Sequence, residues 1–270
     1  MSDGLKGKRI VNTRASVQAR GLDDLLRAHG AIPISYPCLR IVPPDDLAPL
    51  DLALRELAAG QFDWLVLTSA NTVQALRVRL DILGLKLAAE SWRVAAIGPA
   101  TAAAVHELLG ISGVTVPGEY LTEALADHLP LKPGARVFLP ASTLAEPLLA
   151  ERLTARGATV CVVDAYQTVC GDGGGDLAES LKQRRIDALT FTSSSAVRCF
   201  VERLKAECAS IESVCELCAA CIGPRTAATA RAAGFRQVIV PDEHTLTGLL
   251  QALTDYFSPA RQQEIRFDGT

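Results

Sequence analysis

Hydrophobic positions along this chain alternate between short continuous runs and wider stripes. Ile10 and Val11 lead into Asn12-Thr13-Arg14, and residues 8–14 predict a short buried strand that ends in a loop. Leu22, Leu25 and Leu26 recur at the spacing of one helix face, and Gly30 closes that helix. Residues 31–34 predict a second strand, after which Pro37, Pro43 and Pro44 punctuate the chain. Leu47, Leu50, Leu54 and Leu57 form the apolar face of a helix capped by Asp45 or Asp46 and ended by Gly60. Strand and helix then take turns: strand 62–67, helix 71–83, strand 94–97, helix 101–109, and further strands at 114–116 and 136–139. Such alternation with short connections predicts an α/β fold with a parallel sheet covered on both faces.

The same pattern occurs twice. Residues 63–73 (DWLVLTSANTV) align with residues 187–197 (DALTFTSSSAV), and residues 97–103 (IGPATAA) align with residues 222–228 (IGPRTAA). Only Ala100 and Arg225 differ in the second pair, and Val116-Pro117 answers Val240-Pro241. Arg9 with Gly30-Ala31 matches Arg136 with Gly157-Ala158 at equal separation. The chain therefore reads A, B, A′, B′, a duplication of strand–helix units. Sequence alone leaves open whether A pairs with B or with B′. The glycine-rich stretch 171–175 predicts a flexible turn between A′ and B′, and the polar residues 258–270 a loose tail.

Composition narrows the class. Of 270 residues 49% are hydrophobic and only 5% aromatic, which suits helices packed on a parallel sheet. Net charge is −3 and no Lys/Arg run occurs, so neither nucleic acid nor a membrane surface is expected as a partner. No stretch has the 18 uninterrupted apolar residues of a membrane span, and the first residues lack a signal-peptide core, so a cytoplasmic location is expected. The eight cysteines then read as small buried residues of a reducing compartment. Cys215, Cys218 and Cys221 mimic a ferredoxin run, but Arg225 occupies the place of the fourth ligand, with Cys208 a distant substitute. His29, His106, His128 and His244 make no zinc pattern, and no nucleotide-binding glycine signature appears. No metal and no cofactor are expected.

Candidate chemistry concentrates where strands hand over to helices. A helix start offers unpaired N–H groups and partial positive charge, and ligands of open α/β sheets bind outside the carboxyl ends of the strands. Thr68, Ser69, Asn71, Thr101, Ser193, Ser194, Ser195 and Thr226 sit in such loops, while Gly98 and Gly223 permit close backbone approach. Ser142, beyond the 136–139 strand, joins these substrate-binding candidates. The competing reading is that the serines and threonines simply cap helices. Arg14 and Arg225 lie in similar loops and either pair with a carboxylate or remain solvated. Tyr166 either packs at a domain edge or, protonated at neutral pH, donates a proton to a departing hydroxide.

In order along residues 8–255, these motifs resemble the uroporphyrinogen-III synthase family: Thr13-Arg14, Gly30-Ala31 before a proline-punctuated crossing, Thr68-Ser69, the helix start Gly98 to Ala102, Tyr166-Gln167-Thr168, Thr192-Ser193, and Ile222 to Pro224. The loop after Ser69 reads Ala-Asn, where the family often has Asn-Gly.

The resemblance implies two similar open parallel-sheet (flavodoxin-like) domains, a two-segment hinge and a cleft between the domains. One domain comprises residues 1–37 with 168–257, the other residues 42–165. It implies a monomeric, cofactor-free lyase that cyclises a linear tetrapyrrole, hydroxymethylbilane, with ring D inversion and loss of water, giving uroporphyrinogen III for porphyrin and heme biosynthesis. Tyr166 matches the crossing tyrosine that assists hydroxide departure, and Thr101 and Thr226 match binding positions of the Gly-x-x-Thr motifs. Helix starts would hold the substrate carboxylates, each contact contributing about 0.3–1 kcal/mol. A transient contact with the upstream enzyme that makes hydroxymethylbilane is also expected. A two-lobed binding or sensor protein without catalysis is the alternative reading.

Overall fold

The computed structural model describes residues 3–87, 91–183, 185–207 and 211–258; Cys208 and residues 259–270 of the expected tail lie outside the described residues. The chain runs β1 (Arg9–Asn12), α1 (Ser16–Ala28), β2 (Ile32–Ser35), β3 (Leu39–Val42), α2 (Ala48–Ala58), β4 (Trp64–Leu67), α3 (Ala70–Leu83), β5 (Arg93–Ala96), α4 (Pro99–Ala104), α5 (Thr122–His128), β6 (Arg136–Ser142), α6 (Leu148–Ala155), β7 (Thr159–Cys170), α7 (Leu177–Lys182), β8 (Ala188–Phe191), α8 (Ser194–Ala206), β9 (Cys218–Cys221), α9 (Pro224–Ala232), β10 (Val238–Ile239) and α10 (Leu246–Tyr256). It divides into two compact units, Met1–Arg40 with Val169–Thr270, and Ile41–Thr168.

Unit 1 holds a sheet in the order β10-β9-β8-β1-β2, parallel between all neighbours. Unit 2 holds a sheet in the order β3-β7-β6-β4-β5, parallel across β7, β6, β4 and β5. The central strands are buried on both faces, which is why they read as continuous apolar runs. Along β4, Leu65 and Leu67 pack into one helical layer with Leu54, Leu76 and Phe138, while Trp64 and Val66 pack into the other with Leu125, Leu129 and Leu153. In unit 1, Val11 and Leu189 face one layer, Ile10 and Ala188 the other. Each fully buried leucine or valine contributes about 1.5–3 kcal/mol of transfer free energy.

The A and A′ units repeat in detail. Gly30 and Gly157 both adopt left-handed backbone (φ 77° and 86°) at the helix ends, where a side chain would be strained. Their carbonyls accept from Gly7 N and Gly134 N, each at 2.8 Å.

Two local expectations change and one open alternative resolves. Residues 114–116 form no strand; only Thr115 bridges Ala95, because Gly113 at φ 75° and Pro117 leave no room to extend the ladder. The helix after Gly98 begins at Pro99 and turns π-helical over Val105–Leu109 before Gly110 ends it. Asp46, rather than Asp45, meets the start of α2, its Oδ1 accepting from Ala48 N at 2.9 Å. Asp51 on α2 then holds Arg79 on α3 through a bidentate ion pair.

Not all cysteines are free. Cys170 and Cys199 are joined in a disulfide, because the end of β7 meets the first turns of α8 with the Cα atoms 5.2 Å apart. Cys218 and Cys221 end β9 on opposite faces of the unit 1 sheet, each buried in a different layer. They cannot ligate one metal ion there.

Candidate functional site

In unit 2 the candidates gather at the carboxyl ends of β4, β5, β6 and β7. Ser69 is the N-cap of α3, in extended backbone, its Oγ accepting from Thr72 N at 3.1 Å. The same Oγ lies 3.3 Å from Tyr166 Oη. Ser142 pairs with Tyr166 across β6 and β7, Thr143 N donates to Tyr166 O at 3.1 Å, and Leu144 N donates to Ser142 Oγ at 3.3 Å. Asn71 is half-buried in the first turn of α3.

A register shift aims Tyr166. Ala141 pairs with Asp164 and Ser142 with Tyr166, so Ala165 is an extra residue on β7. Such a bulge breaks the alternation of side chains and bends the strand. Ala165 and Tyr166, although consecutive, therefore pack in the same buried layer, and the tyrosine is only 8% exposed. The ring turns toward Ser69 instead of to the opposite face. Nothing in the sequence marks this bulge.

In unit 1 the candidates gather at the ends of β1, β8 and β9. Ser193 is the N-cap of α8 with nearly the backbone of Ser69, its Oγ accepting from Ala196 N at 3.1 Å. Ser194 Oγ donates to Arg225 O at 3.2 Å, which ties the two loops together, and Ser195 Oγ accepts from Arg198 at 3.3 Å. Arg14 is half-buried; its Nε donates to Gln18 O at 3.0 Å and its N–H to Asn12 Oδ1 at 3.1 Å. Partial burial lowers its pKa. Asn12, not singled out in the sequence, organises this loop: its Nδ2 donates to Ala19 O and Asp23 Oδ1. Beside it Thr13 and Thr190 are fully buried and bond across the sheet, Thr13 Oγ1 to Thr190 O and Thr190 Oγ1 to Val11 O.

The duplicated glycine loops are nearly identical. Gly98 caps α4 at φ −164°, ψ 174°, and Gly223 caps α9 at φ −165°, ψ 173°. This is extended backbone open to any residue, so the glycines serve space rather than conformation. Above Gly98 lies the ring of Tyr120, and above Gly223 the ring of His244; a Cβ would stand 3.5 and 3.6 Å from them. Thr101 and Thr226, at the third position of each helix, are both 5% exposed and pack inward. Arg225 is exposed on the first turn of α9.

The geometry thus offers, in each unit, two helix starts at strand ends, one capped by a serine hydroxyl and one by a glycine, and in unit 2 a buried phenol beside the serine cap. Such loops bind carboxylates, and the phenol can donate one proton. Among the described residues, Cys170, Cys199 and Glu202 are the one group of three potential metal ligands, and both sulfurs are committed to the disulfide.

Comparison with known proteins bears on family and fold. A family model described as Uroporphyrinogen-III synthase HemD matches residues 21–251. A uroporphyrinogen-III synthase of Synechococcus elongatus is 33% identical over 257 residues, spanning 93% of this chain and 96% of that protein. A crystal structure of a mutant uroporphyrinogen III synthase from the extremely thermophilic bacterium Thermus thermophilus matches with a TM-score of 0.56 at 23% identity, covering 92% of this chain and 98% of that one. The Helicobacter pylori enzyme matches with a TM-score of 0.55 at 15% identity, covering 91% and 97%. At these identities the two structures show a shared fold.

Proposed function

The chain belongs to the uroporphyrinogen-III synthase family, and on that premise we propose how its residues carry the family's reaction. The enzyme is a cyclising hydro-lyase of porphyrin biosynthesis: it closes hydroxymethylbilane with loss of water and inversion of ring D, giving uroporphyrinogen III. The observation that carries the residue assignment is the 3.3 Å contact between Tyr166 Oη and Ser69 Oγ at the strand ends of unit 2.

Tyr166 is assigned the proton that leaves with the terminal hydroxyl. The hydroxymethyl C–O bond breaks, its oxygen takes the phenol proton and departs as water, and the pyrrole nitrogen lone pair stabilises the cationic azafulvene that remains. Ring D attacks it through its substituted carbon, the resulting spiro intermediate reopens and recloses at the free carbon of the inverted ring, and the proton which that carbon loses on rearomatisation balances the one taken from the phenol. Ser69 Oγ holds the phenol in place and supplies a short hydrogen-bonded route for its proton to be restored. General-acid assistance of this kind is worth about 10²–10⁴ in rate.

Substrate carboxylates are assigned to the helix starts. Ser69, Asn71, Gly98, Thr101 and Ser142 serve in unit 2, and Arg14, Ser193, Ser194, Ser195, Gly223 and Thr226 in unit 1. The support is their position at strand carboxyl ends, where N–H groups and helix dipoles favour anions. Holding the linear chain folded is the larger task, because uncatalysed closure gives the symmetric isomer. A cytoplasmic location and a transient contact with the enzyme that delivers hydroxymethylbilane belong to the same proposal. Cys38, Cys161, Cys215 and Cys221, which form no disulfide, suit a reducing compartment.

The test is a product assay. Freshly made hydroxymethylbilane is supplied, the products are oxidised, and type I and type III isomers are separated by chromatography. Predominant type III supports the reading; type I alone, matching a blank without protein, rejects it.

A further inference from the structure

We propose that Cys170 and Cys199 are a thiol–disulfide modification site, whose oxidation state sets how firmly the second crossing strand is held to unit 1 and thereby adjusts turnover. The inference about turnover rests on the assignment of Tyr166 above; the inference about the strand does not.

Three observations carry it. First, position: the chain passes from unit 2 to unit 1 at Thr168/Val169, within β7, and Cys170 is the last residue of that strand. Cys170 therefore stands four residues beyond Tyr166. Its partner Cys199 stands on α8, the helix that starts at the candidate serines 193–195. One covalent bond links the strand of the proposed proton donor to the helix of the proposed carboxylate loop.

Second, α8 holds both crossings, and elsewhere it does so without covalent bonds. Arg203 Nη1 donates to Pro37 O at 2.6 Å on the first crossing, and its Nη2 to Gly173 O at 3.0 Å just past the second. The Arg203 guanidinium stacks 3.7 Å above the Tyr36 ring, and Tyr36 Oη donates to Glu207 at 2.9 Å. By contrast the last four residues of β7, Gln167 to Cys170, are all only half-buried. Segments with few buried contacts open locally most readily. The disulfide anchors this half-buried end covalently to α8.

Third, chemistry: among the described cysteines of unit 1, Cys38, Cys199, Cys215, Cys218 and Cys221 are buried, whereas Cys170 is half-buried. A reagent therefore reaches this pair through Cys170 before it reaches the buried cysteines of unit 1. Disulfides of reducing compartments are commonly catalytic or redox-sensing. Glu202 Oε2 lies 3.1 Å from Cys170 Sγ, in place to accept from the thiol that reduction creates.

The exchange partner is a dithiol. One thiolate of the reductant attacks Sγ of Cys170, Cys199 leaves as thiolate and takes a proton, and the second thiol of the reductant displaces Cys170. Two electrons and two protons pass to the pair, giving two Cys thiols and one disulfide of the reductant. A disulfide oxidant such as oxidised glutathione reverses this.

The full-length protein is equilibrated with oxidised glutathione or with dithiothreitol, alkylated and digested, and amide exchange is followed by mass spectrometry. The expected result is a Cys170–Cys199 linked peptide in the oxidised sample only, with amides of residues 166–175 exchanging about tenfold more slowly there. Cys170→Ser should exchange as the reduced protein does under both conditions. Should it fold poorly, the wild-type pair of states decides the matter alone. No linked peptide at any glutathione ratio, or a linked peptide with unchanged exchange, overturns the site. Type III formation is then timed in both states: a several-fold difference, absent in Cys170→Ser, supports the link to turnover, and equal rates reject it. Absence of type III in both states condemns the proposed function, while the exchange data still judge the staple.

Discussion

Tyr166 Oη and Ser69 Oγ meet at 3.3 Å although 97 residues separate them. The contact exists because β4 and β7 lie on either side of β6 in one parallel sheet, and because the bulge at Ala165 turns the ring toward the β4 end. Removing the phenol oxygen should leave packing nearly intact, since the ring remains, and cost about 1 kcal/mol of stability. We expect Tyr166→Phe to lower kcat by about 10²–10⁴ with the type III preference retained. Full activity in this variant, measured by timed chromatography of the isomers, removes the proton from Tyr166.

Ser69 and Ser193 each satisfy one orphan N–H of a helix start. Ser69→Ala and Ser193→Ala should each lower stability by about 0.5–2 kcal/mol, read from urea midpoints. Glycine at the same positions costs only about a few tenths of a kcal/mol. Capping and substrate binding therefore separate: Ser193→Gly with near-normal stability but raised KM assigns the hydroxyl to substrate, and an unchanged KM assigns it to the helix alone.

Gly98 and Gly223 sit in backbone that any residue adopts, and a methyl group there meets a ring at ordinary contact distance. Gly98→Ala and Gly223→Ala should accordingly unfold within about 1 kcal/mol of wild type. If substrate carboxylates approach these N–H groups, the added methyl raises KM severalfold. Steady-state kinetics showing unchanged KM in both would falsify the close-approach role.

Asp51 accepts a bidentate pair from Arg79, which holds its carboxyl below the usual carboxylate range. A depressed pKa contributes stability above the unfolded value of about 3.9 and loses it as pH falls through the folded value. Asp51→Asn should therefore be less stable than wild type at pH 7, and the difference should vanish as acid protonates the wild-type carboxyl. Thermal melts at pH 7 and at about pH 3 check this; an equal gap at both means the pair is not the cause.

The architecture was legible because the apolar runs and stripes are regular and because the chain repeats itself. The matching of IGPATAA and IGPRTAA foretold two loops that agree within a degree in φ and ψ at their capping glycines. The pairing of A with B′ was not legible in the residues, since either partner satisfies the same pattern; the family resemblance supplied it. The bulge at Ala165 escaped notice because alanine carries no local signal for one. Thr101 and Thr226 show a subtler limit: a threonine in a helix start reads as solvent-facing, yet helical phase at the third position turns both inward. The Cys170–Cys199 pair also escaped, since disulfide partners follow from tertiary proximity rather than spacing.

Unit 2 is one unbroken stretch of chain, while unit 1 is assembled from two. Its first and last strands, β3 and β7, are neighbours in the sheet; Gln167 Nε2 donates to Pro43 O on one side of the crossing, and Gly171 N donates to Cys38 O on the other. Entry and exit of the inserted stretch are thus close together, as in a guest domain spliced into a host loop. Such a guest can be excised by cuts at Arg40/Ile41 and Thr168/Val169, near the ends of β3 and β7, or the chain re-threaded with new ends at a surface turn. Circular permutation of this molecule becomes a route to expressing host and guest separately.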